Sequence, residues 1–96
     1  TDMNIAAYNS QQDAEARLAE VISMIANATG DEAIAAFNQV QANWLSFCES
    51  WVALKVGDRS RGGTIWPVLY SGLKRSMTER WIDDLQEYRD RGEGEI

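Results

Sequence analysis

The sequence has no histidine, one cysteine and one proline in 96 residues, and each shortage removes a class of chemistry. Without histidine there is no imidazole general base, no Ser-His-Asp or Cys-His pair and no imidazole metal ligand. A lone Cys48 closes no internal disulfide and forms no CxxC site. Positive charge is scarce too. The 9 Lys and Arg face 15 Asp and Glu, a formal charge of −6, which suits a nucleic-acid binder poorly because phosphates must be neutralised by basic side chains. No apolar run reaches the ~18 residues that a transmembrane helix needs. The opening Thr1-Asp2-Met3-Asn4 is polar and acidic and reads as no signal peptide. That leaves either a cytoplasmic protein or a processed chain.

What is present suits one folded unit. Hydrophobic residues make up 45% of the chain, enough for a single core, so residues 1–96 are expected to form one domain. Charge is segregated along it. Residues 1–54 set Asp2, Asp13, Glu15, Glu20, Asp31, Glu32 and Glu49 against Arg17 alone. Residues 55–75 set Lys55, Arg59, Arg61, Lys74 and Arg75 against Asp58, and the remainder is acidic again.

Breakers at Asn27-Ala28-Thr29-Gly30, at Gly57–Gly63 and at Gly92-Glu93-Gly94 divide the chain into three segments. The first, Met3 to Asn27, is rich in helix formers and repeats Ala14, Leu18, Val21, Ile22, Ile25 and Ala28 at helical spacing. Around Asn9-Ser10-Gln11-Gln12 a bend is expected. The second, Asp31 to about Lys55, follows a Thr29-x-x-Glu32 pattern that reads as a capping box. Its Asp31 and Glu32 suit the positive end of the helix dipole. Phe37, Val40, Trp44, Phe47, Trp51 and Leu54 then recur at alternating steps of three and four, the mark of a buried seam. The third opens at Thr64-Ile65-Trp66-Pro67, where proline marks a first turn. It continues with Ile65, Leu69, Leu73, Met77, Trp81 and Leu85 at steps of four, to a cap at Gly92. Nothing alternates with period two. The expected fold is all-α: a three-helix antiparallel up-down-up bundle with a glycine-rich connection between helices 2 and 3.

Several motifs together resemble a known family. Gln41-Ala42-Asn43-Trp44-Leu45-Ser46-Phe47 is similar to the Gln-x-x-Trp-Leu-x-Tyr helix signature of the lysozyme inhibitor LprI-like family. Gly62-Gly63-Thr64-Ile65-Trp66-Pro67 resembles its Gly-Gly-Ser/Thr-x-x-Pro segment, and Arg80 the arginine of its closing helix. Met3-Asn4 followed by Tyr8 is similar to its opening, with one extra residue. The chain departs from the family where two cysteines are usual, at Val52 and Gly72, and where an Arg-Asp pair is usual, at Cys48-Glu49. The resemblance implies an all-helical domain of the bacterial envelope, periplasmic or secreted, some of whose relatives bind and inhibit lysozyme. It implies structural roles for Gln41, Trp44, Leu45, Phe47, Pro67 and Arg80.

Each candidate has two readings. Trp44, Phe47 and Trp51 read first as core and second as a groove. Trp66 is either a staple over the first turn of helix 3 or an exposed interface aromatic. Arg59 and Arg61 belong to a solvated loop or to a projecting basic finger. With Gly62, Gly63, Thr64 and Trp66 they form the candidate partner-binding segment, since a guanidinium there could meet the carboxyl groups of a lysozyme-type cleft. The acidic first half aids solubility or steers a basic partner. Asp83 and Glu87 share a helix face while Asp84 diverges from it, so no metal site is expected. Cys48 reads as a small buried hydrophobe. The expectation is a non-enzymatic protein-binding module without cofactor or metal. Its partner is a protein, lysozyme by resemblance. The alternative is an interaction or structural module with another partner, including a second copy whose exposed aromatics form a dimer seam.

Overall fold

In a computed structural model the described residues are 2–57 and 66–91, and they form three helices. These are α1 (Asp2–Ala28), α2 (Asp31–Val56) and α3 (Trp66–Arg91). Together they fill an envelope of 46 × 24 × 19 Å. Arg17 on α1 pairs with Glu79 on α3 at 3.2 Å, and Arg89 reaches the Met24 sulfur, so α1 and α3 run parallel. Trp81 on α3 meets Gln41 on α2, and Trp66 meets Gly57, so α2 runs antiparallel to α3. The up-down-up arrangement is the expected one.

α1 buries Ala14, Leu18, Val21 and Ile25, the face its spacing predicts. The expected bend is absent: the helix is continuous through Asn9–Gln12, where Gln11 is buried and its amide donates to Glu15. The capping box does not form. The Thr29 hydroxyl turns back to donate to the Ile25 carbonyl at 2.6 Å, closing α1 instead. Gly30 becomes the N-cap of α2 with no side-chain bond, its carbonyl receiving the Ala33 and Ile34 N–H groups. Asp31 and Glu32 keep their place in the first turn. α2 ends at Gly57, whose φ of 79° and N–H bond to the Ala53 carbonyl form a cap that glycine adopts without strain. Pro67 stands in the first turn of α3, as expected.

α3 lies between its neighbours. It packs most extensively on α1 and more narrowly on α2. One core cluster draws Leu18, Val21, Ile25, Phe37, Ile82 and Leu85 from all three helices. A second joins α2 to α3 through Cys48, Val52 and Met77, and Trp44 packs against both. Burying each such aliphatic side chain stabilises the fold by roughly 1.5–3 kcal/mol.

Two expected stripes need correction. In α3 the row at steps of four does not stay buried: Leu69 is 50% exposed, while Ser71, Thr78 and Ile82 are buried. Each step of four overshoots a turn by about 40°, so Leu69 and Leu85 cannot share a face. In α2 the expected seam is displaced to one side. Phe37 is buried and Trp44 and Trp51 half-buried, but Val40, Phe47 and Leu54 are 45%, 57% and 77% exposed. The flank turned inward is instead half-buried Gln41 with buried Cys48 and Val52. Two heptad-like rows share Phe37, Trp44 and Trp51, and packing on α3 uses the less apolar one.

Candidate functional site

The motif residues Gln41 and Trp44 converge on Trp81. The indole Nε1 of Trp81 donates to Gln41 Oε1 at 3.0 Å, and its ring stacks on Trp44 with centroids 5.8 Å apart and planes 13° off parallel. The signature helix is thereby locked to α3 one residue after Arg80. Sequence reasoning placed Trp81 in a core row and missed this partnership. The signal was available, since Trp81 directly follows the motif arginine Arg80. The Gln41 Nε2 is buried with no acceptor among the described residues.

Beside this joint a groove opens between α2 and α3. Its first part, about 500 Å³, is walled by Trp44, Phe47, Trp51, Met77 and Trp81, with Lys55, Arg80 and Asp84 as its charges. Phe47 stacks on Trp51, and the Lys55 ammonium stands 5.7 Å over the Trp51 ring. The second part, about 390 Å³, shares Trp81 and Asp84 and continues along Ala33, Ala36, Val40 and Tyr88. Arg80 is exposed and makes no ion pair among the described residues.

The other candidates fall elsewhere. Trp66 is half-buried, stacks on Tyr70 at 4.8 Å and donates from Nε1 to the Gly57 carbonyl at 3.0 Å. It therefore ties the end of α2 to the start of α3, with Pro67 half-buried beside it. Leu45 is 53% exposed. Arg59, Arg61, Gly62, Gly63 and Thr64 lie outside the described residues. Cys48 is fully buried, and desolvation raises its thiol pKa from 9.0 despite the opposing charges of Lys74 and Arg80. The thiol form is thus favoured and nucleophilic reactivity suppressed. Where cysteine is usual in the family, Val52 packs into the second core cluster and Gly72 lies exposed on α3. Among the described residues no group of three or more His, Cys, Asp or Glu could hold a metal, and no helix is long and apolar enough to cross a membrane.

The described residues thus form a helical scaffold with an open aromatic groove and a buried thiol. The chain belongs to the LprI family of lysozyme inhibitors: a family model described as "Lysozyme inhibitor LprI" matches residues 1–85. No curated protein and no solved structure matches it.

Proposed function

We propose that the protein binds a lysozyme-type glycosidase outside the cytoplasm, in the periplasm or after secretion, and blocks it by occupying its cleft. The family match over residues 1–85 carries this reading. The chemistry of the chain supports it: with no histidine anywhere and its one thiol buried, binding is the natural mode of action.

The contact we assign is the end of the bundle where α2 runs into α3. Lys55, Lys74 and Arg75 lie on the helices flanking that connection, and Arg59 and Arg61 within it. Trp66, bonded to Gly57, supports the base of the connection. Guanidinium groups projected there would pair with the two carboxyl groups that glycoside hydrolysis requires.

The test is a cell-wall lysis assay with several lysozymes at micromolar inhibitor. Inhibition by the wild type, weakened by Arg59→Ala with Arg61→Ala, is the expected result. No effect on any lysozyme would overturn the function, whereas full inhibition by the double variant would overturn only the assigned contact.

A further inference from the structure

Two motif residues that the inhibitory reading leaves unused, Tyr8 on α1 and Pro67 on α3, meet in space. The two helices run parallel, and the offset of 62 residues between Arg17 and Glu79 sets Tyr8 level with Tyr70. A cavity of about 470 Å³ opens there, walled by Tyr8 and Gln11 from α1 and by Trp66, Pro67, Tyr70 and Ser71 from α3. None of these side chains is charged. Two of them are polar and withdrawn from bulk water, Gln11 at 7% and Ser71 at 5% exposure. The Gln11 amide donates to Glu15 at 3.4 Å, the long end of the range, and its Oε1 has no partner among the described residues. The Ser71 hydroxyl has none either. Gln41 Nε2 is the one side-chain atom among the described residues that is both sealed in and unpartnered. Gln11 Oε1 and Ser71 Oγ are therefore open to the cavity they line. The aromatic wall is held in advance: Trp66 stacks on Tyr70 at 4.8 Å with planes 19° off parallel, and its Nε1 is bonded to the Gly57 carbonyl. Tyr8, 55% exposed, supplies a second ring from α1.

We propose that this cavity is a saccharide site that takes a neutral pyranose. The chemistry of the walls selects the class. A charged ligand would surrender its hydration to a site with no counter-charge. A wholly apolar one would cover the Ser71 hydroxyl and the Gln11 carboxamide and leave both unpaired, at a cost in affinity. A pyranose avoids both losses. The C–H groups on its ring face lie against the negative face of an aromatic ring. Its hydroxyls donate and accept, as do those of Ser71, Tyr8 and Tyr70, and the Gln11 Oε1 accepts. The volume falls within the roughly 300–1,000 Å³ usual for small-ligand sites. Buried polar groups are nearly always paired in folded proteins, and a sugar would pair the two that the fold leaves open.

NMR titration of the full chain with methyl glucoside, N-acetylglucosamine and the β-1,4-linked oligomers of each tests this. Saturable shifts of the Gln11 side-chain amide and the Trp66 indole signals are expected, with dissociation constants in the millimolar range. Tighter binding of the oligomers would assign a glycan chain as the source of the ring, and equal binding a single sugar unit; either supports the site. Glucuronate and protonated glucosamine, the same ring with a charge of each sign, should bind several-fold more weakly. Weakness of both signs separates the neutral cavity from the net charge of −6. Ser71→Ala and Tyr8→Ala should each weaken binding several-fold with helicity unchanged, since one removes an unpaired hydroxyl and the other an exposed ring. No shift of these signals with any neutral sugar up to tens of millimolar would overturn the proposal. So would equal binding of the charged sugars, or affinity untouched by both substitutions. Lysozyme enters none of these readouts, so the proposal stands or falls apart from the inhibitory function.

Discussion

Gln41 shows how one side chain serves two helices and is left incompletely satisfied. Its oxygen receives the Trp81 indole N–H, while its buried Nε2 finds no acceptor among the described residues. An unmade hydrogen bond at a buried group costs about 1–3 kcal/mol, more than a made one contributes. Trp81→Phe should therefore destabilise the fold by about 1–3 kcal/mol, because both ends of the Gln41 amide are then unsatisfied. Gln41→Leu leaves the Trp81 N–H orphaned but removes the unsatisfied Nε2, so its cost should be smaller. The pair of substitutions together removes every group involved and preserves apolar contact with Trp44. Urea unfolding should find the double variant less destabilised than the sum of the singles by roughly 1 kcal/mol. Additive costs would mean that the hydrogen bond contributes nothing to the joint. Cys48, two turns further on, reads more simply. The sequence suggested a small buried hydrophobe, and complete burial with a raised thiol pKa accounts for it without any reactive role.

At the scale of the element, two glycines with opposite demands separate backbone need from mere tolerance. Gly57 holds φ 79° at the end of α2, whereas Gly72 lies within α3 at ordinary helical φ, and a Cβ built there meets nothing within 4 Å. Gly72→Ala should stabilise the protein by about 0.5–1 kcal/mol, raising the melting temperature by several degrees, while Gly57→Ala should lower it. Thermal unfolding checks both, and a lower melting temperature for Gly72→Ala would contradict the open space around it. The same scale shows what was legible in the sequence. Helix number and order followed from the breakers at Gly30 and Gly57 and the helix start at Pro67, because these residues act locally and need no partner to do so. The buried face of α1 was legible because only one of its faces is apolar. That of α2 was not, because Phe37, Trp44 and Trp51 belong equally to a row through Val40 and Phe47 and to a row through Gln41 and Cys48. Hydrophobicity favours the first row. The hydrogen bond and ring stack on Trp81 favour the second, and that partner lies on another helix. The groove was invisible for the same reason, since it exists only once α2 turns its more apolar row away from α3. The connection carrying Arg59 and Arg61 was singled out by composition alone, and it lies outside the described residues.

For the whole molecule, the parallel course of α1 and α3 converts charge order along the chain into charge order in space. Glu20 on the later half of α1, Asp31 and Glu32 at the start of α2, and Asp83, Asp84, Glu87 and Asp90 on α3 gather toward one end, with Arg89 and Arg91 as counter-charges. Lys55, Lys74 and Arg75 lie toward the other. The long axis is 46 Å, several times the Debye length of about 8 Å at physiological salt, so a partner close to one end meets that end's field and not the net −6. On the proposed function, the acidic end would attract a basic lysozyme and the basic connection would make the close contact. The two roles separate kinetically, because exposed rim charges act on association and desolvated charge pairs on dissociation. Glu20→Lys with Asp83→Lys, both exposed and free of ion pairs among the described residues, should slow association several-fold and leave dissociation unchanged. Arg59→Ala with Arg61→Ala should do the reverse. For the wild type, the association rate should fall about tenfold or more as salt rises from low to physiological strength. A salt-insensitive association rate measured by stopped flow would remove steering and leave the acidic end a role in solubility alone, because added salt shortens the Debye length and screens attraction between exposed charges.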